Sequence, residues 1–336
     1  MNDNKILIDH GSGGLLTGKL IAEKFKPYFD NPFLSQMEDS TAFDINGTRL
    51  CFTTDSYVIN PIFFPGGNIG SLSVHGTVND IAMRGGKPLY LSAGFIIQEG
   101  FDMSELEQII SSMAEAAKNA GVQIITGDTK VVDKNSADKI FINTSALGII
   151  EYGKNISAME IKPGDAVIIN GNIGDHATAI LNKRKDLNLS SDIISDSAPL
   201  NKLVEKILTE CPEIHCMRDA TRGGLGGILA EIASQSGRTL IIDEVNIPID
   251  EKVRGACEIL GFDPLFFANE GKMVLFCPQN QAQTVLNIMR DNPFGKNAAI
   301  IGEVSEKKKG RLILETIIGG KRQIDLPAGE LLPRIC

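Results

Sequence analysis

A proline-glycine turn, Lys162-Pro-Gly-Asp165, cuts the chain near its middle, and an apolar, β-rich run stands on either side of it. Before the turn lies Lys139-Ile-Phe-Ile-Asn-Thr-Ser-Ala-Leu-Gly-Ile-Ile150, and after it Ala166-Val-Ile-Ile169. Proline beside glycine ends an element and reverses the chain. At 336 residues the chain also exceeds what one hydrophobic core usually serves. The reading is two domains, 1–155 and 156–320, followed by a flexible tail at 321–336.

Patterning predicts strands at 48–54, 88–97, 122–127 and 139–150 and helices at 68–84 and 103–120 in the first half. Leu106, Ile109, Ile110, Met113 and Ala117 follow the helical period, and Gly121 suits the stop. The second half reads as strands at 166–170, 238–242 and 273–277, a strand pair near 298–315, and helices at 175–184, 199–210, 223–236, 250–260 and 280–291. Strands and helices mix without strict alternation, so the expected class is α+β rather than a doubly wound sheet. The basic run Lys307-Lys-Lys-Gly-Arg311 is expected to be a solvated hairpin turn.

Charge and cysteine usage narrow the function. A net charge of -9 lacks the basic footprint that nucleic acid needs and argues against an anionic membrane surface. No apolar run approaches the ~20 residues that span a bilayer, and Met-Asn-Asp-Asn-Lys at the start is not a secretory signal. The six cysteines at 51, 211, 216, 257, 277 and 336 are scattered without a CxxC pair. Cys211 and Cys216 flank His215, but no second pair completes a tetrahedral zinc site, so core or surface thiols are expected. Reduced thiols without a signal indicate the cytoplasm.

Carboxylates recur at the ends of the apolar elements. Glu38-Asp39 precede Ser-Thr-Ala-Phe, Asp55 ends a strand, Asp80 lies within Val78-Asn-Asp-Ile-Ala-Met-Arg84, and Asp128 follows Gln123-Ile-Ile-Thr-Gly127. Singly, each serves as well as a cap or turn residue. Together they suit Mg²⁺, a hard ion that takes oxygen ligands and bridges to phosphates. Glycine clusters accompany them in Asp9-His-Gly-Ser-Gly-Gly14, Pro65-Gly-Gly-Asn-Ile-Gly70 and Asp219-Ala-Thr-Arg-Gly-Gly-Leu-Gly-Gly227. Glycine lets backbone N–H groups approach an anion, and a helix N-terminus favours negative charge. Neither a Walker A loop nor a clear GxGxxG after a strand is present. The last run, Ile324 to Pro333, holds two prolines and reads as an extended arm carrying Cys336.

The set Gly11-Ser-Gly-Gly14, Thr54-Asp55, Asn79-Asp80-Ile-Ala, Gly127-Asp128-Thr-Lys130, Arg218-Asp-Ala-Thr-Arg-Gly-Gly224 and Asn269-Glu-Gly271 resembles the aminoimidazole ribonucleotide synthetase superfamily. The terminal Pro-Arg-Ile-Cys336 is similar to the signature of its HypE branch of hydrogenase maturation factors. The resemblance covers nearly the whole chain and implies a two-domain PurM-like fold. It implies a carbamoyl dehydratase that uses ATP and Mg²⁺ to turn an S-carbamoyl group on Cys336 into a thiocyanate, the source of the cyanide ligands of [NiFe]-hydrogenase. The implied partners are the carbamoyltransferase HypF, the HypC–HypD iron scaffold and a second copy of the chain, in a homodimer formed through the N-terminal domains with ATP near the interface.

The match also assigns residues. Asp55, Asp80 and Asp128 are the expected Mg²⁺ ligands. Asp39, Asp55, Asp80, Asp128, Gly13, Gly14, Asn79, Asp219, Gly223 and Gly224 are the expected nucleotide-binding set. Cys336 is the expected carrier, Glu270 the base, and Lys130 the stabiliser of developing charge. Apart from the resemblance, Glu270 also reads as a turn residue and Lys130 as a loop lysine. His75 is expected to be packed or hydrogen-bonded inside its helix, and His10 only borders the glycine loop. The alternatives are another synthetase of the superfamily, such as selenophosphate or aminoimidazole ribonucleotide synthetase, and a non-catalytic scaffold. The first glycine segment lacks the cysteine expected of a selenophosphate synthetase.

Overall fold

A computed structural model describes residues 5–151, 155–184, 192–327 and 329. The chain runs α1 (Gly14–Leu20), α2 (Lys26–Phe29), β1 (Thr41–Ile45), β2 (Thr48–Tyr57), β3 (Phe63–Phe64), β4 (Gly67–Asn68), α3 (Ile69–Met83), β5 (Lys87–Gln98), α4 (Met103–Ala120), β6 (Gln123–Val132) and β7 (Ile140–Ile149). There follow β8 (Asp165–Ile169), α5 (Asp175–Lys183), α6 (Asn201–Glu210), β9 (Cys216–Asp219), α7 (Gly224–Ser236), β10 (Thr239–Asp243), α8 (Glu251–Leu260), β11 (Met273–Pro278), α9 (Gln279–Arg290), β12 (Ala299–Ser305), β13 (Leu312–Glu315) and β14 (Lys321–Ile324). The class is α+β.

The first sheet has the order β1-β2-β7-β5-β6, and all its pairings are antiparallel except β5 with β6. Its strands alternate: Ile140, Ile142, Thr144 and Ala146 turn inward while Asn143, Ser145 and Leu147 turn outward. The inner face carries α3 and α4. Asp102 caps α4 by accepting from Ser104 N at 2.7 Å and Glu105 N at 3.2 Å. α3 is buried nearly all round, its polar Ser73, Thr77 and Asn79 included. Phe33 packs edge-on against Phe43 at the β1 end of the outer face, ring centroids 6.3 Å apart, and β6 forms an open edge.

The second sheet has the order β14-β13-β10-β12-β8-β11-β9. β8 and β11 are buried on both faces, which explains their unbroken apolar runs. Ile168, Met217 and Leu275 face α6 and α9, while Val167, Ile169 and Phe276 face α7. A third cluster joins the halves: Ala177, Ile180 and Leu181 of α5, Val253 of α8, and Phe267 share a core with α3, α4 and the first sheet.

Three local expectations change. The 298–315 pair is not a hairpin, because β10 lies between β12 and β13, antiparallel to one and parallel to the other; Lys307–Arg311 crosses its start. The tail set at 321 begins inside a strand, for β14 pairs antiparallel with β13, Ile324 opposite Leu312. β1 was missed although Asn46 and Gly47, both at positive φ, join it to β2 through a two-residue turn. No described helix is long and apolar enough to cross a membrane.

Candidate active site

A cleft of about 970 Å³ opens between the inner end of the first sheet, the start of α7 and the glycine loop at 11–14. The loop supplies Gly13 and Gly14, β2 supplies Asp55, α3 supplies Asp80, β9 supplies Asp219, and the bend before β11 supplies Glu270. Asp39 reaches it from the segment before β1. The sheet, one helix and the second sheet thus deliver carboxylates from both halves to one space.

Arg218 of β9 organises the rim. Its Nε donates to Asp39 Oδ1 at 2.6 Å, and its guanidinium lies 3.5 Å from Glu38 and 3.9 Å from Glu231. Glu38 in turn accepts from Ala158 N at 3.0 Å. Asp80 Oδ2 accepts from Thr53 Oγ1 at 2.7 Å. Burial pushes the Asp80 carboxyl well above its ordinary range, and the charges of Asp219, Asp39 and Asp55 push it further. Burial and Asp39 raise Asp219 to about 8, against the pull of Arg218. Glu270 is raised well above its usual value by burial and by Asp219 and Asp196. Its backbone is fixed: Asp196 accepts from Glu270 N at 3.2 Å and Gly271 N at 3.3 Å while pairing with Lys272 at 3.0 Å.

Crowded carboxylates that raise one another's pKa fit a divalent cation, which would relieve the repulsion. Asp39 Oδ2 is buried without a hydrogen-bond partner. Among the described residues no three His, Cys, Asp or Glu side chains converge into a complete metal site. Mg²⁺ is usually held by one or two carboxylates with phosphates and water completing the shell. A pH prediction follows. Asp219 holds its proton more tightly folded than unfolded, so it contributes stability at low pH that is lost as pH rises from about 4 to about 8. Asp219→Asn should therefore be the more stable protein at pH 8 without divalent cation, by more than about 1 kcal/mol. Mg²⁺ should narrow the gap, and thermal unfolding with and without chelator measures it.

Three assigned places differ from expectation. Asp128 and Lys130 lie on β6, 69% and 68% exposed, and pair with each other at 3.0 Å. Asp128 aligns through Gly94 and Asn143 with Ser56, three strands from β2 at about 4.8 Å each and on the opposite face from Asp55. One chain therefore does not bring Asp128 to Asp55 and Asp80. Asn79 is buried within the fold: its Nδ2 donates to Ala198 O at 3.0 Å and its Oδ1 accepts from Leu200 N at 2.8 Å. Gly223 and Gly224, both at positive φ, make the tight entry to α7, and the neighbouring Thr221 and Arg222 line the cleft instead. Cys336 lies outside the described residues.

The histidines behave structurally. His75 Nδ1 is 2.9 Å from Ser197 Oγ, and burial pushes its pKa down to about 4. His10 accepts from Leu7 N within its own turn. His215 is held between Asp165 at 2.8 Å and Lys162 at 3.1 Å. Sequence reasoning gave no role to Arg218, Thr53 or Asp196. Arg218 had a signal, standing directly before Asp219 in the quoted motif; Asp196 had none, since it reaches Glu270 only across the fold.

The last described segment returns to the site. Leu326 lines the cleft, and Pro327 O accepts from Leu15 N at 3.0 Å. Gly14, at φ +72, sits so close that a β-carbon there would be 2.4 Å from Pro327 O. Gly14→Ala should cost more than about 1 kcal/mol in thermal unfolding and should weaken nucleotide binding, because loop and segment can no longer meet.

Comparison with known proteins gives the same outline. Family models described as AIR synthase related protein match residues 37–150 with the N-terminal domain and 162–315 with the C-terminal domain. The carbamoyl dehydratase HypE of Azotobacter vinelandii is 47% identical over 336 residues, covering 100% of this chain and 98% of that protein. The crystal structure of a HypE–HypF complex contains a chain of TM-score 0.87 and 48% identity, with 92% of this chain and 99% of that one aligned. HypE in complex with ATP follows at TM-score 0.83 and 46% identity, with 99% and 100% aligned.

Proposed function

The chain belongs to the AIR synthase related family and to its carbamoyl dehydratase HypE group, and on that premise we propose that it dehydrates an S-carbamoyl group on Cys336 to a thiocyanate at the expense of ATP. The observation that carries this reading is the path of the chain after β14, along the cleft wall at Leu326 and onto the glycine loop at Pro327. Cys336 is nine residues further on, and nine extended residues reach about 30 Å. A cleft of about 970 Å³ whose wall already includes Leu326 is short beside that reach.

The carboxylates and the loop suit the chemistry. An amide oxygen is a poor leaving group. When it attacks the γ-phosphorus of ATP, a C–O–P link forms, the bond from phosphorus to the bridging oxygen breaks, and ADP leaves. One N–H proton passes to Glu270 in its carboxylate form. The second proton passes to the departing phosphate as the C–O bond breaks, phosphate takes the bonding pair, and C≡N forms. The sum is thiocarbamate and ATP to thiocyanate, ADP and phosphate. Phosphoryl transfer depends on positioning and charge neutralisation. Gly14 can bring its backbone N–H to phosphate, while the Gly13 N–H is given to Thr17 Oγ1 at 2.9 Å, and Asp55 and Asp80 would hold Mg²⁺, which neutralises phosphate charge.

A homodimer belongs to this reading. Phe43, Phe52, Tyr90 and Ile96 lie on the outer face of the first sheet with Asp128 and Lys130 beside them. A second copy against that face would cover the apolar surface and set Asp128 and Lys130 toward its partner's site. The HypE–HypF complex supports HypF as a partner; in this reading HypF gives the carbamoyl group and HypC–HypD would take the cyanide for iron, in the cytoplasm. Intact-protein mass spectrometry after mixing with HypF, carbamoyl phosphate and ATP tests the function. A carbamoyl adduct on Cys336 that then loses one water is expected; ATP consumption with no loss of water from an adduct would overturn it.

A further inference from the structure

The cleft floor holds one hydroxyl whose hydrogen-bond direction is fixed by its neighbours. Tyr57 ends β2, and it lines the floor with Gly76 of α3 while only 5% exposed. Its Oη is 3.1 Å from Thr77 Oγ1, which is 2.6 Å from Thr144 Oγ1, which donates to Ser73 O at 3.0 Å. Each hydroxyl has one hydrogen. A carbonyl only accepts, so the hydrogen of Thr144 points to Ser73. Thr77 must then donate to Thr144, and Tyr57 must donate to Thr77. Toward the cleft, Tyr57 Oη has lone pairs and no proton to offer: it is an acceptor.

Helix α3 is shaped around this phenol. A glycine inside a helix costs about 0.5–1 kcal/mol relative to alanine. At Gly76 a β-carbon would stand 2.3 Å from Tyr57 Oη, so the helix forgoes that stability and leaves the hydroxyl its place. Around it the floor carries the carboxyl groups of Asp55, Asp80, Asp219 and Glu270. Among these carboxyl groups Tyr57 Oη is the acceptor whose direction is fixed, and it suits a ligand group that presents hydrogens. A primary amide presents two on one nitrogen; a phosphate presents oxygens.

We propose that Tyr57 accepts one N–H of the carbamoyl amide and thereby turns the other N–H toward Glu270, making it the substrate-orienting residue of the dehydration. The inference deepens the dehydration reading above and rests on it. The chain through Thr77 and Thr144 sets the direction of the Tyr57 hydroxyl and carries no proton out, since it ends on the carbonyl of Ser73.

The test uses full-length chains carbamoylated on Cys336: wild type, Tyr57→Phe, Thr77→Val and the double variant, in single turnover with saturating ATP and Mg²⁺. Water loss should slow by about 10–100-fold in each single variant, the scale of one hydrogen bond to a reacting group. ATP affinity should stay at the wild-type value in both. The double variant should be no slower than Tyr57→Phe, because Thr77 acts only through the phenol hydroxyl that Tyr57→Phe removes. Wild-type speed in Tyr57→Phe would overturn the orienting role while leaving the dehydration standing. Losses that multiply in the double variant would overturn the fixed direction through Thr77. Failure of the wild type itself to lose water would overturn the dehydration reading and this inference with it.

Discussion

Cys336→Ala is expected to fold and bind ATP as the wild type does, and to take up no carbamoyl group at all. The other thiols give no substitute. Burial pushes Cys51, Cys257 and Cys277 to about 12, raises Cys216 well above the ordinary thiol value, and raises Cys211 less far. Thiolate is the nucleophile, so these five side chains are inert at neutral pH. The expected effect is total loss of both the adduct and the dehydrated product, read by intact mass after incubation with HypF, carbamoyl phosphate and ATP. An adduct on the alanine variant would remove Cys336 from the reaction.

Glu270→Gln is expected to retain ATP and accept the carbamoyl group, yet to slow water loss by about 10²–10⁴-fold, the usual worth of a positioned general base. The substitution keeps the shape of the side chain, and its backbone stays pinned by Asp196. The pH profile separates a base from a packing residue. Glu270 is raised well above the ordinary carboxyl value by burial and by Asp219. Its carboxylate form therefore grows in as pH rises through that elevated pKa, and the wild-type rate should climb with it. The glutamine variant should lose this limb. A variant with wild-type rate, or with the limb intact, would assign the base elsewhere.

Periodicity and turn chemistry made most of the fold legible. The helix from Met103 to Ala120 was readable end to end, because its apolar stripe and the glycine after it agree. β9 was not, since four residues with a buried arginine in them, Cys-Met-Arg-Asp, carry no period. Its place came from the sheet, where β11 pairs with it. In the site, Asp55, Asp80, Asp219 and Glu270 were named from motifs, and the fold gathers them. Asn79 and Asp128 stood in the same motifs and the fold separates them: one is bonded to the backbone of the second half, the other faces away on an open edge. A motif records which residues travel together in sequence; it does not say which face of a strand or helix each one takes. The Tyr57 hydroxyl was invisible for a related reason, because its direction depends on Thr77 and Thr144, distant in sequence.

The cluster in which α5 and α8 lie against α3 and the first sheet has a consequence for how this chain could be remade. Interfaces between ordinary domains are small and rather polar, and either side survives alone. Here the seam is an interior: Ile180, Leu181, Val253 and Phe267 are buried in it, and Asn79 clasps the strand of backbone at Ala198 and Leu200. Chimeras that graft one half onto a relative's other half would join surfaces that never co-adapted, and recombination across the seam must carry both sides together.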